Sequence, residues 1–423
     1  MKAQYPFALM VKPVGSTCNM NCRYCYYIDN NSSNHAVMDE QLLETLIADY
    51  FNSSPGPVVS FVWHGGEPML RGLAFYEKAV ELQKKHLPEG WQCWNNLQTN
   101  GLLLNDKWCQ FLKKEHFDVG ISIDGTRTVH DTYRVDKQGD PTYDRIADNI
   151  RLLQKHGIQP DLLCTVNNET SLQPLEVYNS LKALNTGWMQ FIPVVNKDEE
   201  GNVIGESVDS RVYGNFLKCI FNQWLFNDLG KTNVQLFAEM LNRYAGGQQS
   251  VCWLLEECGR VLVVESDGVV YSCDHFVNGE NRIGRIGEDS LADMMNGDKQ
   301  MSFGHRKAVL PDECLACRYR FFCNGGCPKD RDRENHNYLC AGLKELFDYA
   351  DEYVRMAVDL LKQGRKAPEV MKLLREKRDE NWGEVPETVR VPAAADADTS
   401  SAAEGSGKEG EFNVWQSSIR IAV

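Results

Sequence analysis

Three cysteines near the start of the chain constrain it more than any other feature. Cys18, Cys22 and Cys25 stand in the spacing C-x3-C-x2-C within STCNMNCRYCYY. Three thiolates so close in sequence can cap three corners of a four-iron cube and leave one iron open. An open iron is what a substrate-chelating cluster needs, whereas a structural zinc site calls for four ligands, commonly in paired C-x2-C form. The chain has 15 cysteines. A second group reads Cys252-x5-Cys258-x14-Cys273, then Cys314-x2-Cys317-x5-Cys323-x3-Cys327-x12-Cys340. These eight supply two complete four-thiolate sets. The remaining Cys93, Cys109, Cys164 and Cys219 lie singly in helical or strand patterns and read as packing residues. Zinc ribbons remain the competing reading of the second group.

The cysteine total is odd and the N-terminus, MKAQYPFALMVKP, lacks a long apolar region and a small-residue cleavage site. No export signal is expected, and a reducing cytoplasm favours metal binding over disulfides. No apolar run approaches the length of a membrane span. The net charge of −14 argues against nucleic acid or an anionic membrane as the main partner. With 423 residues, 43% of them hydrophobic, the chain can form one large or two medium globular domains.

From Val11 to about Val195, short apolar runs alternate with helical stretches. VVSFVWH (Val58–His64), VGISID (Val119–Asp124), DLLCTV (Asp161–Val166) and MQFIPVV (Met189–Val195) read as buried strands. Helical patterns cover Asp39–Asn52, Leu73–His86, Lys107–Lys114, Tyr143–His156 and Pro174–Leu184. This alternation predicts parallel βα units and an open or closed α/β barrel with its chemistry at the strand C-termini. Residues Asp209–Tyr244 read as a helical link. From Cys252 to Cys340 so little sequence is apolar that metal, rather than a hydrophobic core, is expected to hold the region. Residues 341–377 return to a helical period. From about Trp382 the chain is rich in Ala, Ser, Gly, Glu and Asp, and disorder is expected. The expected domains are therefore 1–245, 246–345, the helices of 346–381, and a tail of 382–423.

The first cysteine motif, lying just after a first strand, resembles the radical S-adenosylmethionine (SAM) superfamily. His64-Gly65-Gly66-Glu67-Pro68 ends the next apolar strand and matches that family's GGE motif. The fold implied is α/β, a partial (β/α)6 barrel. By the same resemblance Gly65, Gly66 and Glu67 contact SAM, and glycine lets backbone approach a cofactor closely. Tyr24 lies between the last two cysteines of the motif. Ser122 in VGISIDG, Arg134 in DTYRVD and Val195 are the further SAM contacts the resemblance implies. Arg134 would pair with the carboxylate, and Val195 would pack on adenine. QTNG (Gln98–Gly101) also matches, with no definite role.

The C-terminal cysteines resemble the SPASM domain of peptide-modifying radical SAM enzymes. That resemblance implies interleaved sets, Cys252, Cys258, Cys273 and Cys327 for an inner cluster and Cys314, Cys317, Cys323 and Cys340 for an outer one. With the first cluster, this gives three [4Fe–4S] clusters. Residues 8 to 375 together resemble the anaerobic sulfatase-maturating enzymes, on VKPVGSTCNMNCRYCYY, WHGGEP, LQTNG, VGISIDG, QFIP and VYSCDHF. The resemblance implies oxidation of one Cys or Ser of a sulfatase, within a Cys/Ser-x-Pro-x-Arg segment, to Cα-formylglycine. It also implies Asp274, directly after Cys273, as the base, and an electron donor such as ferredoxin or flavodoxin. Two other readings compete. One is a SPASM enzyme that forms thioether or other cross-links, many of which carry an N-terminal recognition domain for which a motif starting at residue 18 leaves no room. The other is a non-catalytic iron–sulfur scaffold, against which the open-iron motif followed by GGEP argues.

Overall fold

The computed structural model describes residues 1–27 and 36–381. The tail expected to be disordered, 382–423, lies outside the described residues. Six parallel strands form the framework: β1 (Ala8–Val11), β2 (Val58–Trp63), β3 (Gln92–Thr99), β4 (Asp118–Ser122), β5 (Asp161–Val166) and β6 (Trp188–Pro193). The two-residue strands β7 (Asn196–Lys197) and β8 (Val203–Ile204) make a separate hairpin. Four more strands extend the main sheet: β9 (Asn233–Val234), β10 (Val261–Val264), β11 (Val269–Tyr271) and β12 (Arg282–Arg285). The strand order is β12-β11-β10-β1-β2-β3-β4-β5-β6-β9.

Strand alternation decides what faces the site. Leu9 and Val11 of β1 and Phe61 and Trp63 of β2 join the main core under the helices. Met10, Val62 and Val263 belong to a second small cluster on the opposite face. Lys12 is in phase with Met10, and His64 with Val62. Both therefore emerge on that second face at the strand ends.

Helices Glu40–Ser53, Leu73–His86, Asp106–Lys114, Tyr143–Lys155 and Pro174–Lys182 fall where the pattern places them. Side-chain caps start two of them, with Asp39 accepting from the Leu42 N–H and Asn105 from the Lys107 and Trp108 N–H groups. Strand β3 has no apolar signature because QCWNNLQT is mostly polar. Asn95 explains part of this: it is buried and accepts from the Trp63 indole (2.9 Å) and Gln83 (2.9 Å). The helical link divides into Ser210–Gln223, a π turn over Trp224–Asp228, strand β9 and Gln235–Tyr244. The final helical stretch divides into Cys340–Lys362 and Ala367–Asn381, with Gly364 between them at φ 81°.

One expectation is corrected here. The cysteine-rich region is not held by its cysteines alone. Strand β10 pairs in parallel with β1, Ala8 opposite Val261 through Val11 opposite Val264. Leu262, Val264, Val270, Leu291, Tyr319 and Phe322 pack in the same core as the barrel helices. Its apolar residues are few because they complete an existing core instead of building a second one.

Candidate active site

The loop carrying Cys18 leaves β1 and folds under the HGGEP segment that leaves β2. Gly66 N donates to Gly15 O and Glu67 N to Thr17 O, each at 2.9 Å. A Cβ on Gly66 would lie 2.3 Å from Thr17 O, and Gly65 holds φ at 114°. The glycines therefore let the second loop seat directly on the cysteine loop. Glu67 is fully buried. Its carboxylate accepts from Asn100 N (2.8 Å), Met69 N (3.0 Å) and Thr99 Oγ1 (2.8 Å). Burial pushes this carboxyl up to about 7 against those three donors. Its oxygens thus tie the ends of β2 and β3 together within the chain.

Cys18, Cys22 and Cys25 lie within Coulombic reach of one another. Met20 N donates to Cys18 Sγ at 3.3 Å and Arg134 Nη1 to Cys22 Sγ at 3.9 Å. Beside them Asp124, fully buried, collects three partners. Arg134 Nε donates to its Oδ2 at 3.0 Å, Thr165 N to its Oδ1 at 2.9 Å, and the Tyr24 hydroxyl donates to Oδ2. Ser122 Oγ accepts from Gln98 at 3.0 Å. The structure thus brings Tyr24, Arg134 and the thiol trio together. Val195 packs in the main core, whereas its neighbour Val194 packs with Tyr24, Val129 and Tyr133 against Cys22. On geometry, Val194 is the valine on the cysteine side.

Asp274 is buried between the cysteine loop and β1. Lys12 Nζ stands 2.5 Å from its Oδ1, and the Tyr26 hydroxyl donates to its Oδ2. Lys12, with no exposure, also lies 3.4 Å from Glu265 and 3.6 Å from the centre of the Tyr27 ring. The Lys12 contact is an ion pair without hydrogen-bond geometry. The Tyr27 hydroxyl binds both Glu265 oxygens, at 2.7 and 2.6 Å. Burial alone would raise the Asp274 carboxyl, but Lys12, His64 and His275 together outweigh it and hold the group well below the usual carboxylate range. His64 lies within Coulombic reach of both, and burial pulls its imidazole down to about 4. His64 Nδ1 is buried with no hydrogen-bond partner among the described residues.

The eight C-terminal cysteines fall into two spatial groups. Cys273 and Cys258 each face Cys252, and Cys327 faces both Cys252 and Cys273. All four line one cavity of about 120 Å³, together with His275, Trp253, Lys307 and Asp330. Cys340 faces Cys314 and Cys317, and Cys323 faces Cys340 and Cys314. Burial pushes the thiols of Cys22 and Cys327 up to about 12 and those of Cys258 and Cys323 up to about 11, so a bound cation would be needed to hold them as thiolates. Among the described residues no three His, Cys, Asp or Glu side chains converge tightly enough for one metal ion. Each of the two groupings of four offers the four thiolates that a complete cubane cluster takes. Cys109 and Cys164 are buried in the core, and Cys93 packs against it.

Sequence reasoning missed Lys12, Tyr26, Tyr27, Asp124 and Glu265. Asp124 carried a weak signal as a carboxylate ending an apolar strand in ISIDG. Lys12, a lysine continuing an apolar strand, carried another.

Two family models match the chain, the radical SAM superfamily over residues 13–180 and the SPASM iron–sulfur cluster-binding domain over residues 252–318. Fold and site thus define a radical SAM enzyme with a SPASM domain. The serine-type anaerobic sulfatase-maturating enzyme of Bacteroides thetaiotaomicron is 38% identical over 397 residues, covering 88% of this chain and 96% of that one. The cysteine-type enzyme of Clostridium perfringens is 33% identical, covering 82% and 96%. The solved structure of anSMEcpe with bound AdoMet and the Kp18Cys peptide superposes with a TM-score of 0.79 at 31% identity, covering 84% of this chain and 99% of that one. The chain belongs to the anaerobic sulfatase-maturating enzymes. SuiB of Streptococcus suis, at 15% identity and a TM-score of 0.55, shares the fold.

Proposed function

We propose that this chain oxidises one serine or cysteine side chain of a sulfatase, within a Cys/Ser-x-Pro-x-Arg segment, to Cα-formylglycine. The observation that carries the reading is Asp274, a buried carboxylate set beside Cys273 and against the loop of the first thiol trio. With a three-thiolate cube and SAM bound, reductive cleavage of SAM supplies a 5′-deoxyadenosyl radical able to take a hydrogen atom from the target Cβ. Cys18, Cys22 and Cys25 would hold that cube. The SAM contacts are assigned to Tyr24, Gly65, Gly66, Glu67, Ser122, Arg134 and the Val194–Val195 segment, of which Val194 packs on the cysteine side. Asp124 holds Arg134 and Tyr24 in place from behind. Gly65 and Gly66 present backbone beside the thiols, with Glu67 fixing their loop. The eight C-terminal cysteines would hold the two auxiliary clusters in the groupings described above.

Oxidation to the aldehyde level removes a hydrogen atom, a proton and an electron. Asp274 takes the hydroxyl or thiol proton. Held ionised by Lys12, it is a weak base, but a radical at Cβ makes the adjacent O–H or S–H proton far more acidic. Lys12 and Tyr26 fix the carboxylate from two sides. His64, neutral near pH 7, offers Nδ1 to the same hydroxyl or thiol. The electron leaves toward the auxiliary cysteine sets, and a ferredoxin or flavodoxin serves as external donor. Among the described residues no helix is long and apolar enough to cross a membrane; the place of action proposed is the cytoplasm, where thiols stay reduced for cluster binding. The domain division is proposed as 1–245, 246–345 and 346–381.

The test is anaerobic incubation with SAM, a reductant and a Cys- or Ser-x-Pro-x-Arg peptide, followed by mass spectrometry. The serine peptide should lose two hydrogens, and the cysteine peptide should exchange its thiol for an aldehyde oxygen. A cross-linked peptide would instead place the chain among the thioether-forming SPASM enzymes.

A further inference from the structure

Between the two groups of auxiliary cysteines the structure buries two cations that no carboxylate answers. Lys307 is fully buried and Arg331 is 6% exposed. Among the described residues neither forms an ion pair with a carboxylate, and the charges acting on them are each other and the cysteines. Lys307 Nζ donates to Leu255 O, within the Cys252–Cys258 loop, and to Asn324 O at 3.2 Å. Arg331 donates to Gly325 O (3.0 Å), Asn324 O (3.2 Å) and Lys307 O (2.9 Å). Asn324, Gly325 and Gly326 join Cys323 of the outer group to Cys327 of the inner one, all three in the left-handed region. The segment is tightly fitted, since a Cβ on Gly326 would lie 1.8 Å from the Asn337 amide. Lys307 is within Coulombic reach of Cys258, Cys323 and Cys327, and Arg331 of Cys314, Cys327, Cys258 and Cys323.

Burying an unpaired cation costs several kcal/mol unless an opposite charge is near. A four-iron cube on four thiolates carries net negative charge in both oxidation states, and one unit more when reduced. We propose that Lys307 and Arg331 form a buried cationic bridge between the two auxiliary sites, raising their reduction potentials so that they accept the electron released by the substrate. The inference rests on the assignment of the eight cysteines to two clusters. In the step it serves, the substrate radical is oxidised by one electron, an auxiliary site is reduced by one, and the proton passes to Asp274. Both cations are positioning residues: they act on the clusters and touch no reacting atom.

The test is a potentiometric titration, followed by electron paramagnetic resonance, of the full chain reconstituted in a Cys18, Cys22 and Cys25→Ala background that leaves only auxiliary signals. Lys307→Gln and Arg331→Gln keep a hydrogen-bonding head and remove the charge. Each should lower the ratio of reduced to oxidised auxiliary cluster at a fixed potential by about tenfold, equal to about 59 mV for a one-electron couple. Lys307→Arg and Arg331→Lys should restore it. Unchanged potentials in both neutral variants, with iron fully loaded, overturn the proposal. Should the neutral variants lose iron while the charge-keeping ones retain it, the charge requirement is upheld. Should the charge-keeping variants lose it equally, the two residues serve packing alone and the proposal fails. An iron count too low for two cubes in the parent background itself would instead reject the cluster assignment on which the inference rests.

Discussion

Lys12 and Asp274 divide stability from chemistry at a single contact. Lys12 is the cation shared by two buried carboxylates, Asp274 at 2.5 Å and Glu265 at 3.4 Å. Lys12→Met should cost about 3–5 kcal/mol, because it leaves buried charge unanswered, and the denaturant midpoint of the reconstituted chain reads this directly. The pH dependence has a definite sign. Asp274 has a depressed folded-state pKa, so its ion pair contributes fully above the ordinary carboxylate range. The wild-type advantage over Lys12→Met should shrink as pH falls below that range. Asp274→Asn tests the chemistry. The amide keeps the size and removes the base, so formylglycine should fall by about 10²–10⁴-fold while 5′-deoxyadenosine still forms; chromatography of both products decides it. Equal formylglycine rates with all clusters loaded would return Asp274 to a loop role. Asp274 was legible because it follows a cluster cysteine. Its partners were not, since Tyr26 meets Asp274 across 248 residues of sequence and nothing in local spacing announces such a pair.

At the level of elements, periodicity located the long helices because each buries one apolar stripe. It passed over β3, whose inward residues Asn96 and Gln98 are polar and bond Ser60 and Ser122. A strand that lines a polar site loses the alternation by which strands are recognised. Nor did composition show that β10 completes the barrel sheet, because pairing with β1 is a non-local event. One contact between elements makes a sharp prediction. Helices Ser210–Gln223 and Cys340–Lys362 cross at Gly214 and Gly342, where a Cβ on Gly342 would sit 1.7 Å from Ser210 O and one on Gly214 2.3 Å from Gly342 O. Gly342→Ala must push the helices apart, at a cost of about 1–3 kcal/mol or more. Cys340 begins the displaced helix, so the outer cluster's spectrum should change with the melting temperature. Gly279→Ala is the control, with nothing within 4 Å of its Cβ and no left-handed backbone, and should stay within about 0.5 kcal/mol of wild type. Equal melting temperatures for the two variants would show that the helix crossing yields easily.

Across the whole molecule, the first thiol trio and the auxiliary cysteines share one sheet but are held by separate hydrogen bonds. The first loop is fixed by Gly66 and Glu67 of the HGGEP segment, by Asn21 N on Val135 O (2.8 Å) and by Arg23 N on Tyr133 O (3.0 Å). None of those contacts needs a thiol. The auxiliary groups are fixed through β10, the Asn324–Gly326 turn and the helix beginning at Cys340. Replacing Cys18, Cys22 and Cys25 with Ala should therefore remove one cluster and spare the others. Reconstituted wild-type chain should hold about twelve irons, four for each of three cubes, and the triple variant about eight. The variant should form no 5′-deoxyadenosine, yet its remaining iron should reduce and reoxidise as the wild-type auxiliary signals do. Surviving SAM cleavage would show that another set of thiols chelates SAM. An iron count falling toward zero would show that the first cluster organises the shared sheet, contrary to the backbone bonds that hold its loop. Stoichiometric zinc in the variant would identify the C-terminal groups as zinc sites, and the substrate's electron would then need a different exit.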